Sequence, residues 1–446
     1  MVIRSLVLSL LLLIVAVLPA RAVEVQRVVS PGGIEAWLVE DHQNPIISLE
    51  IAFRGGGALD APGKEGTAYL LSGLLDEGAG ELDSQAFQAR LQNLSIRLSF
   101  DAGIDNFDGS LQTLTENRDT AFDLLRLALT EPRFDAEPVE RIRGQILAQL
   151  KRESEDPDTI AGRTMRRLFF ADHPYGRPVH GTPESLAAVT AEDLRDFVAG
   201  RFARDNMVIG VVGDITSEEL AGLLDSTFGG LPEKAAPVAV PEIVADGTGG
   251  VVVIEKNVPQ SVVSIGQPGI KRDDPDFYTA FVVNYVLGGG GFSSRLYDEV
   301  REKRGLAYSV YSYLSPLDRS ALVIAGVATA NARVAESLAV IREEWARMAA
   351  EGPTAEELED AKTFLTGSYP LRQSSSGRIA GMLVGIQLDE LGIDYINKRN
   401  GLIEAVTLED ARRVAAELYR PEALTVVVVG RPEGIEPTRQ APPQGS

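Results

Sequence analysis

Arg301 and Tyr308 are the side chains whose types and spacing best suit binding chemistry in this 446-residue sequence. A helix is predicted to begin around Ser293 and to carry Arg301 near its end. Gly305 can end that helix in a left-handed conformation, which turns the next strand so that Tyr308 approaches Arg301. A forked cation and a phenol hydroxyl can together bind a peptide carbonyl or carboxylate. Spacing alone favours a plainer interpretation, in which Arg301 stabilises its helix end and Tyr308 is an ordinary strand aromatic.

The histidines do not suggest a metal site. There are three of them, and His42 is isolated near the end of a predicted strand. His173 and His180 flank Pro174 and Pro178, so these two cannot share a helical face. The absence of cysteine also removes thiolate ligands and cysteine nucleophiles. The sequence therefore predicts no catalytic metal site in this chain.

An internal repeat indicates which elements must position these residues. The run Val189–Leu194 opens a helix with a threonine cap and acidic residues, and Val406–Ala411 does the same. Each helix leads to an aromatic residue and then to an apolar strand closed by glycine, namely Met207–Gly213 and Leu424–Gly430. Because the elements recur in the same order without gaps, the chain is predicted to be a duplication.

The predicted fold class is α+β, with two homologous domains, each a mostly antiparallel sheet with helices packed on one face. In the first half, strands are predicted at 34–39, 46–53, 96–100 and 107–114, and helices at 66–76, 84–92, 118–129 and 136–152. A linker rich in proline and glycine, residues 230–250, separates an N-terminal domain, 23–229, from a C-terminal domain, 251–436. Residues 437–446 are predicted to form a disordered tail.

Residues 1–22 are predicted to be a signal peptide. Arg4 precedes the apolar run Leu6–Leu18, and Ala20 and Ala22 provide the small residues that a signal peptidase requires. An uncleaved membrane anchor is the alternative, although the run is short for a bilayer span. No later stretch is long and apolar enough to cross a membrane. We therefore expect an exported protein, in a bacterial periplasm, that is not integral to the membrane after cleavage.

The net charge of the chain indicates which classes of binding partner are unsuitable. The net charge is −21 at neutral pH, which argues against nucleic acid and against anionic membrane surfaces. An exported chain without cysteine must be stabilised by its core alone, and this chain is long enough for two cores.

Two stretches carry a specific resemblance to a known family. The first, Leu287–Ser309, contains four consecutive glycines, Arg301 and Tyr308, and the second, His173–Pro178, is followed by a Gly-Thr pair at 181–182. From residue 23 onward, the chain resembles the pitrilysin/insulinase family of zinc metallopeptidases, the inverzincins.

The resemblance implies that the zinc site of this family is degenerate here. Active members carry H-x-x-E-H on a helix, with two histidines as ligands and the glutamate as base, and a downstream glutamate completes the zinc shell. At these positions the chain has Tyr69, Ser72 and Gly73, then Gln149, and Ile142 replaces an accompanying acid. Hydroxyl and amide groups are poor zinc ligands, and glycine offers none. We therefore expect no cofactor in this chain and no catalysis by the isolated chain.

The same resemblance implies a role for the arginine and the tyrosine. In this family, an arginine and a tyrosine at this spacing position substrate opposite the zinc, and in two-chain members they lie on the subunit without metal. Arg301 and Tyr308 are thus expected to bind a peptide substrate for a homologous, zinc-bearing H-x-x-E-H partner. The expected function is that of a non-catalytic subunit that closes the chamber of a heterodimeric zinc peptidase.

Several alternatives remain open from the sequence. The chain could be a structural or peptide-binding protein of the same fold without an enzymatic partner, or a self-sufficient peptidase with unfamiliar chemistry. The run Gly288–Gly291 (Gly288, Gly289, Gly290 and Gly291) could be a mobile loop that approaches a peptide backbone, as in the glycine-loop subunits of mitochondrial processing peptidases. It could instead be a helix end and a turn before Ser293 caps the next helix.

Overall fold

The computed structural model describes residues 23–442, so the predicted signal peptide, residues 1–22, lies outside the described residues. The strands are β1 Gln26–Val29, β2 Glu35–Glu40, β3 Ile46–Arg54, β4 Arg97–Ala102, β5 Asn106–Leu114, β6 Met207–Gly213, β7 Gly250–Glu255, β8 Gln260–Pro268, β9 Ala307–Leu317, β10 Ser320–Ala330 and β11 Thr425–Gly430. The helices of the first half are α1 Thr67–Ser72, α2 Ser84–Asn93, α3 Arg118–Thr130, α4 Ala136–Glu153, α5 Pro157–Phe170, α6 Pro183–Ala188, α7 Ala191–Arg201 and α8 Ser217–Phe228.

The helices of the second half are α9 Phe277–Asn284, α10 Val334–Glu351, α11 Ala355–Gly367, α12 Ser376–Leu388, α13 Tyr395–Glu404 and α14 Leu408–Leu418. Of two π-helical segments, Tyr285–Gly289 contains the first half of the glycine run, and Tyr297–Glu302 follows the run. Within residues 23–442, no helix has the length and apolar character that a bilayer crossing requires.

The strands form two sheets of closely similar topology. The first has the order β1-β2-β6-β3-β5-β4 and the second the order β7-β11-β8-β10-β9. In the described chain only the β2–β6 and β7–β11 pairs are parallel, and every other pair is antiparallel. The predicted α+β fold with two similar, mostly antiparallel sheets is confirmed.

The repeat found in the sequence has the same structure in both halves. Thr190 Oγ1 accepts the amide of Asp193 at 3.3 Å at the start of α7, and Thr407 Oγ1 accepts that of Asp410 at 3.1 Å at the start of α14. The strands that follow, β6 and β11, occupy equivalent places in their sheets. Both end at glycines with positive φ, +146° at 213 and +153° at 430, where a side chain would overlap the neighbouring strand.

Each sheet packs one face against the helices of its own half. The first core is centred on residues such as Phe107 and Phe122, and the second on Trp345 and Tyr419, all of them buried. Burial of large apolar side chains on one face of a sheet is the main favourable contribution to such a domain. This arrangement agrees with the predicted packing of helices on one face.

The second face of each sheet is covered by a helix from the opposite half. Helix α5 buries Phe169 on the second sheet, where a side chain on Gly266 would lie 2.8 Å from the Phe169 ring. Helix α12 packs on the first sheet, and a side chain on Gly210 would lie 2.5 Å from the carbonyl oxygen of Ala380. The sequence did not predict this exchange, because an apolar helix face does not specify which sheet it covers.

The segment between the halves has no helix or strand from residue 231 to 249, but it is bound to both halves. The amide of Ala236 donates to Gly200 O at 2.9 Å, and that of Ile243 donates to Arg319 O at 3.0 Å. These bonds hold the segment against the surface.

The predicted disordered tail, 437–446, requires a correction. The amide of Thr438 donates to Val251 O at 2.8 Å, and the amide of Val251 donates to Thr438 Oγ1 at 2.9 Å. Arg439 also forms an ion pair with Asp246 at 2.9 Å. Residues 437–442 are thus attached to the edge of the second sheet, because β7 leaves free main-chain groups there; residues 443–446 lie outside the described residues.

The close contact of α12 with β6 can be tested by adding one methyl group. Gly210→Ala should lower the free energy of unfolding by about 1–3 kcal/mol, because the methyl group overlaps the α12 backbone. Gly222→Ala is the matched control at an exposed position of helix α8, where the added group meets nothing within 4 Å. It should raise stability by about 0.5–1 kcal/mol. Urea unfolding measures both, and equal effects would contradict the contact.

Candidate functional site

The short helix α1, which carries Tyr69 and Ser72, is fixed by a buried carboxylate. Asp60 accepts the amides of Gly66 at 2.7 Å and Ala68 at 3.1 Å, so it satisfies free donors at the start of the helix. Burial raises the pKa of Asp60 to about 7, and the amide donors oppose this shift. The sequence does not predict this role of Asp60, because a turn separates Asp60 from the helix and it does not occupy the cap position.

Tyr69 and Gln149, the predicted replacements for two zinc ligands, are in contact. The Tyr69 hydroxyl donates to Gln149 Oε1 at 3.2 Å, and Gln149 Nε2 donates to Glu153 Oε1 at 2.7 Å. The ring of His180 stacks on Tyr69 with centroids 4.1 Å apart, and its Nδ1 lies 3.1 Å from Glu153 Oε1. Arg163 forms an ion pair with the same carboxylate. We call Tyr69, Gln149, Glu153, Arg163 and His180 the polar cluster.

The places of Glu153 and His180 in the polar cluster were not predicted from the sequence. Glu153 lies one turn after Gln149 on α4, a spacing that could have indicated a shared face. His180 comes from a distant turn, and no local pattern could have placed it against Tyr69.

At the other two degenerate positions, Ser72 forms a hydrogen bond within its own helix and Gly73 packs against an apolar side chain. The Ser72 hydroxyl donates to the Tyr69 carbonyl at 2.9 Å, so it is engaged within its own helix. A side chain on Gly73 would lie 2.9 Å from Cγ2 of buried Ile142. The space of the second histidine is therefore occupied by an isoleucine.

These donors do not fit a zinc ion. A catalytic zinc site needs imidazole, thiolate or carboxylate ligands in a tetrahedral arrangement. The aligned positions offer a phenol, an alcohol and an amide, and Ile142 blocks the fourth. Across residues 23–442, no group of three or more His, Asp or Glu side chains could hold a metal ion. The polar cluster is instead held together by hydrogen bonds and one ion pair among its own members.

Arg301 and Tyr308 meet on one surface. Gly305 has a φ of +59° and ends the helix, with its amide donating to Arg301 O at 2.9 Å. The guanidinium carbon of Arg301 lies 4.6 Å from the Tyr308 ring centroid and 4.8 Å from that of Tyr297, whose hydroxyl accepts a hydrogen bond from Arg301. Phe292, 5.8 Å from the same carbon, completes the arginine–aromatic cluster.

The cluster presents its outer rings to solvent. Phe292 is 81% exposed and Tyr308 is 82% exposed, whereas Tyr297 is buried. The nearest carboxylate, Glu302, is 3.8 Å from Arg301 Nε, a long ion pair that leaves the guanidinium free to bind another acceptor. Sequence analysis missed Phe292 and Tyr297, although Tyr297 precedes Arg301 by one helical turn.

The glycine run forms a helix end and a turn, the second of the two arrangements considered from the sequence. Gly288 lies in the first π-helical segment, and a side chain there would lie 2.5 Å from Ser312 Oγ. Gly291 has a φ of +55° and starts the turn. The predicted cap shifts by one residue, because Ser293 Oγ donates to Gly290 O at 3.0 Å and Ser294 Oγ lies 3.4 Å from the Tyr297 amide.

Both halves of the chain match models of the same peptidase family. Residues 36–183 match the family model described as insulinase (peptidase family M16), and residues 188–365 match the peptidase M16 inactive domain. A non-peptidase homolog from Helicobacter pylori is 32% identical over 338 residues, 75% of this chain and 78% of that protein. An uncharacterized zinc protease from Streptomyces coelicolor is 28% identical over 413 residues, 90% of this chain and 89% of the other.

Among solved structures, a peptidase M16 inactive domain from Pseudomonas fluorescens has a TM-score of 0.87 and 28% identity. The match covers 93% of this chain and 99% of that one.

Whether Ile142 excludes a zinc ligand at position 73 can be tested by restoring the family's zinc-binding residues in this chain. In a variant with Tyr69→His, Ser72→Glu, Gly73→His and Gln149→Glu, we expect weak zinc binding, because Ile142 overlaps the new histidine. Adding Ile142→Ala should strengthen binding roughly 10- to 100-fold, since overpacking costs about 1–3 kcal/mol. Competition with a chromophoric chelator measures the affinity.

Ile146→Ala in the same rebuilt variant is the control. It removes the same atoms from a buried position one turn along α4 without clearing the space beside residue 73. An equal gain from either alanine would show that Ile142 does not block the site.

Proposed function

We propose, because the chain belongs to the insulinase family (peptidase family M16) as an inactive member, that it is the non-catalytic subunit of a two-chain zinc peptidase. A homologous H-x-x-E-H partner supplies the zinc ion and the base. This chain closes the chamber and holds the peptide substrate. It binds no zinc at its own degenerate site, and the predicted export places both subunits in the periplasm.

One contrast carries the proposal. The positions of the zinc ligands are filled by a hydrogen-bonded phenol and amide and by Ile142. The arginine–aromatic cluster, in contrast, keeps a cation and an exposed phenol on one surface. The only carboxylate within ion-pair distance of Arg301 in the described chain is Glu302 at 3.8 Å, and the rings of Phe292 and Tyr308 beside it are exposed, so this surface can still bind a peptide.

The geometry of the cluster suits a peptide carbonyl. Tyr297 accepts one hydrogen bond from Arg301 and so orients the guanidinium, which has five N–H donors in all. The remaining donors and the Tyr308 hydroxyl can bind the carbonyl oxygens of an extended peptide. The exposed faces of Phe292 and Tyr308 can pack on its side chains.

A structural protein of the same fold without an enzymatic partner is the rival function. If the rival function is correct, substitutions in the arginine–aromatic cluster should not change the rate of peptide hydrolysis by any partner. The same mixing experiment separates the two functions.

The substrate role of Arg301 can be tested by mixing this chain with a purified H-x-x-E-H partner of the same organism. Arg301→Ala should lower kcat/KM of the mixture about 10- to 150-fold, because a hydrogen bond from a charged donor contributes about 1.5–3 kcal/mol. Tyr308→Phe, which loses a neutral donor, should lower it roughly 2- to 10-fold. Cleavage of a fluorogenic peptide is the measurement.

Arg90→Ala removes an equal charge from an exposed position of helix α2 and is the matched control. Circular dichroism and complex formation establish that each variant folds and binds its partner. Full activity of the mixtures containing Arg301→Ala or Tyr308→Phe would refute the assigned roles. If the partner without this chain were as active as the mixture, the rival function would be favoured.

A further inference from the structure

A cavity of about 460 Å³ lies between the two halves of the chain, beside the segment that connects them. The first half lines it with the end of β3, the turn between β4 and β5, and the end of α7. The second half contributes the turn between β9 and β10, and the connecting segment adds Pro237 and Val240. This volume lies within the range of small-molecule sites, about 300–1,000 Å³. We call this feature the interdomain cavity.

Arg201, at the end of α7, is a buried cation in the wall of this cavity. It is 9% exposed, and its Nη2 donates a hydrogen bond to Ala236 O at 2.5 Å. Among residues 23–442, Arg201 has no ion pair and no other hydrogen bond. Its Nε and Nη1 are not sealed off from solvent. A buried guanidinium without an opposite charge is costly, so its free N–H donors favour an anion in the cavity.

The internal repeat indicates that the fold does not require this charge. In the alignment without gaps, Arg201 at the end of α7 corresponds to Leu418 at the end of α14, and Phe202 corresponds to Tyr419. Arg201 and Leu418 are buried to the same extent, each with 9% exposure. An apolar side chain therefore suffices at this helix end in the second half. The arginine distinguishes the first half, where the cavity lies.

Asp318 supplies the opposite charge from the turn between β9 and β10. Its amide donates to Asp105 Oδ2 at 3.2 Å, and Asp105 O accepts the amide of Gly55. Gly55 in turn lies beside Arg201, because a side chain there would be 4.0 Å from Arg201 Cδ. The Asp318 carboxylate is exposed, and in the described part of the chain it has neither a hydrogen bond nor an ion pair. The two free charges do not pair with each other, which leaves room for a ligand between them.

The other charges of the cavity argue against a simple anion as its ligand. Its remaining arginines are engaged, since Arg54 lies 3.6 Å from Glu390 and Arg319 lies 3.2 Å from Glu242. The acidic side chains in the wall are Asp105, Asp205, Asp318 and Glu390. A phosphate or sulfate ion would be repelled by these carboxylates, whereas a molecule with one charge of each sign is balanced.

We propose that the interdomain cavity binds a dipeptide with free ends, with its carboxylate on Arg201 and its ammonium group on Asp318. A guanidinium binds a carboxylate through charge-assisted hydrogen bonds. Leu59 and Ile104 line the same cavity and can contact the side chains of the dipeptide. A single amino acid carries the same two charges but fills less of the volume. Dipeptide binding goes beyond the proposed function, because the cavity shares no residue with the arginine–aromatic cluster.

The experiment measures binding to the mature chain alone by isothermal titration calorimetry, so its result does not depend on a partner. The probes are alanyl-leucine, its amide, its N-acetyl form, and leucine. The amide lacks the carboxylate and should bind about 10- to 100-fold more weakly than alanyl-leucine. The N-acetyl form lacks the ammonium group and should bind about 2- to 10-fold more weakly, because Asp318 is exposed to water. Leucine should also bind more weakly than the dipeptide.

Two variants assign these preferences to the two charges. Arg201→Leu introduces the residue of the second half, and it should make alanyl-leucine bind no more tightly than its amide. Asp318→Asn changes an exposed side chain, so it should not affect folding, and it should remove the preference over the N-acetyl form. Arg90→Leu, at an exposed position of α2, is the control and should keep both preferences.

Three results would overturn the inference. They are absence of alanyl-leucine binding, equal affinity for alanyl-leucine and its amide, and a carboxylate preference that survives in folded Arg201→Leu. If circular dichroism showed that Arg201→Leu does not fold, Asp318→Asn would decide, and an unchanged preference over the N-acetyl form would count against the cavity. Leucine binding as tight as that of alanyl-leucine would contradict the assignment to a dipeptide.

Discussion

Each sheet of this chain is closed by a helix from the other half, and the fixed arrangement of the two halves depends on that exchange. Phe169 occupies the space above Gly266, and the α12 backbone approaches β6 because Gly210 has no side chain. A buried link reinforces the contact, since the Tyr175 hydroxyl donates to Asp105 at 2.7 Å and accepts the Arg319 amide at 2.9 Å. These close contacts leave little room for sliding between the halves.

The residues at the degenerate zinc site are stable together without a metal ion. A glutamate ligand that loses its zinc ion leaves a partly buried charge without compensation, which is costly. Here the Tyr69–Gln149 hydrogen bond is neutral, and the remaining carboxylate, Glu153, is balanced by Arg163. The space near Gly73 is filled by Ile142. Polar groups are thus satisfied and apolar ones packed without a cation.

Local sequence patterns predicted much of the fold and part of the site. The alternation and amphipathic periods located the predicted strands and helices of the first half to within a few residues, except at α1, which ends at Ser72. No prediction covered β1, α5, α6 or α8. Gly305 was identified as a helix end because a left-handed residue there is a local requirement. The juxtaposition of Tyr69 with Gln149 followed from the family resemblance. Long-range placements could not be predicted, because His180, Asp60 and the exchanged helices depend on tertiary packing that no local pattern encodes.

The central claim is that the isolated chain holds no catalytic zinc. Its most direct test is the metal content of the purified mature chain by inductively coupled plasma mass spectrometry, combined with a peptide-cleavage assay on the same sample. We expect substoichiometric zinc that dialysis removes, and no cleavage. Tightly bound, stoichiometric zinc together with cleavage that a chelator abolishes would contradict it.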